Sequence, residues 1–247
     1  MLSFWAKTSG TWVNVAFILV GTGSGLFLRN RLAPRFQDII TQAVGLTTIF
    51  IGISMAGALS KAQAGRVDGV ILALIALVVG GLVGEWWQLE KRLLVFGDWL
   101  KARFRGGSRF TEGFVAASLL FCVGPMAILG SLNNGIVGDS TILVVKSTMD
   151  GLISIALTGT YGAGVGFSIL PIVLYQGGLS LLASSFAVLI PSPETAPSIL
   201  LTSGIGGIMI LGLGLNLLEV RKIQVASFLP ALACGPLVSW LAQVLLP

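Results

Sequence analysis

The sequence predicts an all-α polytopic membrane protein with about eight transmembrane helices, and three observations carry that prediction. Only 10% of the residues are charged while 55% are hydrophobic, and the mean hydropathy is +0.94. A soluble domain carries about a quarter charged residues. Apolar runs of bilayer length recur along the whole chain, and the basic residues gather at alternate ends of those runs.

Taken in order, and allowing about 20 residues per crossing, the spans fall at 11–29, 38–58, 67–88, 112–132, 140–159, 163–189, 198–218 and 224–246. The sixth is long and holds Pro171, so seven or nine spans are the alternatives. The first span has one Lys before it, a run of Arg after it and no small-residue cleavage site, so it reads as a span rather than a cleaved signal. All 247 residues form a single integral membrane domain.

The loops set the orientation. Those after spans 1, 3, 5 and 7 hold Arg29, Arg31, Arg35, Lys91, Arg92, Lys101, Arg103, Arg105, Arg109, Arg221 and Lys222. The other side has Lys7, Lys61 and Arg66, and Lys146 lies within span 5. The positive-inside rule therefore puts both termini outside the cytoplasm. The net charge of +5 does not point to nucleic acid: these residues flank membrane segments, so topology and anionic lipid account for them and no nucleic-acid partner is expected.

The loop 89–110 is more than a linker. Leu89, Leu93, Phe96, Leu100 and Phe104 recur at helical spacing with Lys91, Lys101 and Arg105 elsewhere on the turn, the pattern of an amphipathic helix seated on anionic lipid. Trp86 and Trp87 before it suit an interfacial aromatic belt, with Glu85 beside them. Gly21 and Gly25 in span 1, and Gly80 and Gly84 in span 3, have the spacing of close helix crossings. Such faces also permit a homodimer. Gly124–Pro125 predicts a bend in span 4. Asn133, Asn134, Gly135 and Asp139 read as a polar turn after it.

There is a weak internal echo. Span 1 set on span 6 pairs Gly10 with Gly164 and Asn14 with Ser168; span 2 on span 7 pairs Gly52 with Gly212; span 3 on span 8 pairs Gly80 with Gly235. The offsets drift, and apolar runs match readily by chance. An inverted repeat of about 10–88 on about 163–246, flanking central spans 112–159, would place span 5 between the two halves, as in many secondary transporters.

Span 5 carries the candidate site. Lys146 and Asp150 lie four residues apart and share a helical face with Ser147, Gly151, Ser154 and Thr158. The opposite face reads Ile142, Val145, Met149, Leu152, Ile153 and Ala156. Charges at membrane depth cost roughly 2.5–3.5 kcal/mol each on insertion scales and usually pair toward a protein interior. The plain alternative is a self-neutralising structural pair. In span 6, Ser168, Pro171 and Gln176 interrupt GFSILPIVLYQGG, where a broken helix exposes backbone groups that bind ions or, more simply, kinks. Asn14 is the matching polar residue of span 1. The substrate- or ion-binding candidates are thus Asp150, Lys146, Ser147, Ser154, Ser168, Gln176 and Asn14.

With no His, and with Cys122 and Cys234 both inside spans, neither a metal cluster nor a disulfide framework is expected, and no cofactor beyond a coupling Na⁺ or H⁺. A single central Asp lacks the second carboxylate of an aspartyl enzyme, so catalysis is the least expected role.

The segments GTWVN (10–14), FCVGPMAILGS (121–131), GDSTILVVKSTMDG (138–151) and GVGFSILPIVLYQGG (164–178) resemble the YqgA/YdfK-like bacterial inner-membrane proteins over nearly the whole chain. That resemblance implies an inner-membrane protein of unestablished function, with transport the expectation, and transfers no binding or catalytic residue. Two classes of function remain in view. One is a small secondary transporter or exporter, or a channel, of an unknown small solute or ion. The other is a non-transporting scaffold or lipid-binding subunit whose Lys146–Asp150 pair holds the bundle together.

Overall fold

The computed structural model describes residues 3–29, 33–186 and 197–245. Arg31, residues 187–189 of the sixth expected span and residue 246 of the eighth lie outside the described residues. The elements are almost entirely helical: α1 Phe4–Arg29, α2 Pro34–Ala56, α3 Gly69–Trp86, α4 Leu89–Arg103, α5 Phe110–Cys122, α6 Pro125–Val137, α7 Thr141–Tyr161, α8 Ile169–Ile172, α9 Gly178–Phe186, α10 Pro197–Leu217 and α11 Leu229–Leu245. A small antiparallel hairpin, which the sequence reading did not anticipate, pairs β1 Gln63–Ala64 with β2 Val67–Asp68. Its two-residue loop opens on Gly65 at φ 60°, as a II′ turn requires.

Among the described residues six helical runs are long and apolar enough to cross a membrane, or seven if α5 and α6, bent by 60° at their junction, count as one. One of the six is the 43-residue run Thr141–Ala183. Continuous helix of that length would measure about 65 Å, twice the ~30 Å apolar core of a bilayer. The run doubles back instead. Gly162 ends α7 at φ +80°, a conformation that costs glycine little. Beyond it come a 3₁₀ segment Gly162–Ser168, the short α8, a π-helical turn Val173–Gly177 and α9.

The chain groups into two compact units. Unit 1 holds α1, the start of α2, the later part of α4, and α5 through α9. Here α7 lies parallel to α1, with Gly10 beside Leu143, Gly21 against the Gly151 carbonyl and Gly25 against Thr158. A Cβ on Gly21 or Gly25 would run into α7 backbone, so the GxxxG spacing does make a close crossing. After Gly162 the chain returns antiparallel to α1: Gly166 meets Thr22 and Gly177 meets Thr11.

Asn133–Gly135 are not a turn but part of α6, a correction with a clear cause. The Asn134 side chain is fully buried, and its Oδ1 accepts from the Gly10 N–H at 3.0 Å while its Nδ2 donates to the Ala6 carbonyl at 3.0 Å. Those two backbone groups bond each other in a regular helix. Consecutive asparagines suggest a turn locally, but this one is held in a helix by its contact with another. Asp139 does act at the turn, accepting from the Thr141 N–H at 2.9 Å and hydroxyl at 2.6 Å at the head of α7, and these bonds lower its pKa.

Unit 2 holds the remainder of α2, the hairpin, α3, the first residues of α4, α10 and α11. Gly45, Gly52 and Gly214 seat α2 antiparallel on α10, and α3 packs on α11 with Gly80 against Ala231 and on the preceding 3₁₀ turn Val225–Phe228 with Gly84 against Ser227. In the part of α4 that belongs to unit 1, Leu100 is buried while Phe96 and Trp99, with Phe104 just beyond the helix, are exposed; Trp86 and Trp87 at the end of α3 in unit 2 are exposed as well. The loop 89–110 is therefore largely the expected helix, with aromatic side chains left outward.

Candidate functional site

Helix α7 is inverted relative to a soluble amphipathic helix. Its polar stripe of Lys146, Ser147, Asp150, Ser154 and Thr158 is buried, while Val145, Met149 and Leu152 are exposed. Toward lipid that arrangement is favourable, because the apolar stripe needs no partner in hydrocarbon. The polar stripe must then be satisfied from within the protein.

Unit 1 supplies what it needs. The Lys146 ammonium donates to Asp150 Oδ2, and both side chains are 8% exposed. The same oxygen accepts from Asn14 Nδ2 at 3.0 Å. The Asn14 amide also donates to Gln176 Oε1 at 3.2 Å, so its two N–H groups bridge the carboxylate of α7 to the π-helical turn. One residue has been inserted into the helical repeat there, a local irregularity often found at functional positions. Phe121 of α5 lies on another side, its ring centroid 6.0 Å from Lys146 Nζ. Asp150 is the tenth residue of the 21 in α7, close to the middle of its helix.

The network is incomplete. Ten buried side-chain polar atoms among the described residues have no hydrogen-bond partner, and nine of them belong to unit 1. They include the remaining halves of the two amides, Asn14 Oδ1 and Gln176 Nε2, together with the hydroxyls of Thr11, Thr22, Ser131, Ser154, Thr158, Ser168 and Ser180. An unpaired buried polar group costs about 1–3 kcal/mol. The nine are spread over α1, α6, α7, the 3₁₀ segment, the π-helical turn and α9, and two of them, Asn14 Oδ1 and Gln176 Nε2, belong to the linked side chains themselves.

Of the seven sequence candidates, Asn14, Lys146, Asp150 and Gln176 are joined by direct contacts. Ser154 and Ser168 are fully buried with unpartnered hydroxyls but bond none of those four. Ser147 is different: its hydroxyl donates to the Leu143 carbonyl of its own helix at 2.5 Å, which occupies its proton locally. Thr11, Thr22, Ser131 and Ser180 were not among the candidates. For Thr11 and Thr22 a signal existed, since both share the α1 stripe of Asn14, Gly21 and Gly25 at helical spacing. Ser131 and Ser180 carry no such mark.

The chemistry open to the site follows from its inventory: one carboxylate, one ammonium, two amides and several hydroxyls. Among the described residues no group of three or more His, Cys, Asp or Glu side chains converges. The neutral oxygens and single carboxylate suit hydrogen bonding to a polar solute or coordination of a hard cation.

Comparison with known proteins agrees with the membrane reading. The chain is 32% identical to the uncharacterized membrane protein YdfK of Bacillus subtilis over 93% of its own length and 94% of the relative's. It is 28% identical to the uncharacterized protein YqgA of Escherichia coli, over 90% and 92% of the two chains. No solved structure matches it. Residues 9–240 match the family model described as a protein of unknown function, DUF554, and the chain belongs to that family.

Proposed function

We propose that the protein is a secondary transporter or exporter of a small solute or ion, with Asp150 as the carboxylate that binds a cation or proton. Lys146 is its tethered counter-charge. The observation that carries this reading is the mid-helix carboxylate in a hydrogen-bond network that joins three chain segments, accompanied by nine unpartnered polar atoms in the same unit. A merely structural ion pair needs no such surplus of unsatisfied groups.

In the arrangement described, the Lys146 ammonium neutralises Asp150. For an incoming cation or proton to take its place, the Lys146 ammonium must swing away from Asp150 or give up its proton, and Asn14 Oδ1 is a neutral oxygen free to act as a ligand. Either partner keeps the carboxylate from standing bare at membrane depth, where an unpaired charge is expensive. The π turn beside Gln176 is the element able to yield as the occupant changes.

The same reading takes the doubled-back run Thr141–Ala183 as two crossings. With the bent α5–α6 pair counted as one, this makes eight. Eight crossings and the placement of basic residues orient both termini outside the cytoplasm, in a bacterial inner membrane. The inverted repeat remains part of this proposal, since it would set α7 between two mobile halves.

The test is flux into proteoliposomes that report internal Na⁺ and pH. Wild-type protein is expected to give saturable, gradient-coupled flux, and Asp150→Asn to abolish it while remaining folded. Equal flux through both proteins defeats the assignment. Flux that rises without saturation or coupling identifies a channel, and a lowered melting temperature with flux through neither identifies a scaffold.

A further inference from the structure

Unit 2 holds two adjoining apolar grooves, of about 550 Å³ and 320 Å³. Leu77, Ile223 and Phe228 line both, so the grooves lie on either side of a shared wall. The larger continues along α3 over Val78, Gly81 and Leu82, and Val78 and Leu82 are exposed on its surface. It ends at a polar mouth formed by Arg221, Lys222, Gln224 and Glu85. From Leu77 to Glu85 is about 12 Å of helix. The smaller groove is lined entirely by apolar residues and glycine, chiefly from α10.

The mouth lies at the level where a membrane turns polar. Trp86 and Trp87 follow Glu85 at the end of α3 and are 81% and 52% exposed, as aromatic belt residues are. Neither Arg221 nor Lys222 is within ion-pair distance of a carboxylate among the described residues. Glu85 accepts from the Ser227 hydroxyl at 3.2 Å, so its carboxylate is partly engaged. Glu90 stands near Lys222 and accepts from the Ala226 N–H at 2.9 Å, so both carboxylates at this end already hold hydrogen bonds, while Arg221 and Lys222 hold no carboxylate within ion-pair distance among the described residues.

We propose that this is a binding site for one anionic diacyl phospholipid. The phosphate lies against Arg221 and Lys222, and one acyl chain runs in each groove. Glu85 accepts hydrogen bonds from headgroup hydroxyls, which favours a phosphatidylglycerol-type headgroup over a choline. Three features fit a lipid better than a free anion or a peptide: two apolar channels with a common wall, a single charged end, and a length that runs from headgroup level into the apolar zone. Nothing in this assignment depends on the transport reading, because the groups involved belong to a different unit from Asp150.

Delipidated protein in detergent, titrated with phosphatidylglycerol and with phosphatidylcholine of identical chains and followed by native mass spectrometry and melting temperature, tests it. Phosphatidylglycerol is expected to bind saturably with one lipid and to raise the melting temperature; phosphatidylcholine is not. The double variant Arg221→Gln, Lys222→Gln is expected to weaken binding about 30-fold, at about one kcal/mol per basic residue. Val78→Trp, which fills the larger groove at an exposed position, is expected to abolish binding with both cations intact. Equal binding of the two lipids, full affinity in either variant, or the same stabilisation by inorganic phosphate would each overturn the proposal.

Discussion

Asn14 and Asp150 are 136 residues apart in the chain, yet the Asn14 amide donates to the Asp150 carboxylate at 3.0 Å inside unit 1. The contact depends on α1 and α7 lying parallel and nearly touching, which Gly21 and Gly25 permit. It also turns a local i,i+4 ion pair into a three-segment network, because the same amide reaches Gln176. A lone pair on one helix would neutralise itself; this one is also joined, through Asn14, to the π-helical turn Val173–Gly177.

Coupling between Lys146 and Asp150 is measurable by a double-mutant cycle on melting in detergent. Lys146→Met leaves a buried carboxylate uncompensated and is expected to cost about 3–5 kcal/mol. Asp150→Asn is milder, since the amide oxygen still accepts from Asn14 and Lys146. The double variant is expected to recover most of the Lys146→Met loss. Strictly additive effects would show that the two groups do not stabilise each other.

The α1–α7 crossing has its own test. Gly21→Val places a branched side chain against the Gly151 carbonyl and Ser154, where backbone has no room to give. A loss of about 1–3 kcal/mol or more is expected. Gly23→Val, on the same helix with open space around it, is the control and is expected to change stability by less than about 0.5 kcal/mol. Equal effects at the two positions would mean that the helices do not meet along this face.

Glu90 gives a pH dependence outside the membrane spans. Burial raises its pKa, and the Ala226 N–H that donates to it at 2.9 Å and the charge of Lys222 only partly offset that. A carboxyl whose folded pKa lies above its unfolded value binds its proton more tightly when folded. Its contribution is therefore favourable at low pH and is lost as pH rises from the unfolded toward the folded pKa. Glu90→Gln keeps an acceptor for Ala226 without the charge. Its melting temperature at neutral pH should match or exceed that of the wild type, and the advantage should vanish in acid. A stability loss at neutral pH that persists in acid would contradict this.

Much of the molecule was legible in the residues because a bilayer imposes local rules. The buried polar stripe of α7, the α4 helix and the GxxxG crossings depend on hydropathy and helical period alone, and each of these features is present in the folded chain; of the expected spans, 112–132 is divided between α5 and α6, and 163–189 is broken into shorter helical segments. Asn134 was misread for the opposite reason. Its helical conformation and its hold on Ala6 and Gly10 come from a distant segment, and nothing within a few residues of it announces that.

The same division runs through the candidate site. Lys146 and Asp150 stand out in the sequence because charge within an apolar span is costly wherever the helix lies. That Asn14 and Gln176 complete their network, while Ser147 turns its proton to its own backbone, followed only from the parallel seating of α1 and α7 and the reversal at Gly162. Cost at membrane depth is a property of each residue, whereas hydrogen-bond partners are set by which helices lie side by side and in which direction. Only the folded chain carries that information.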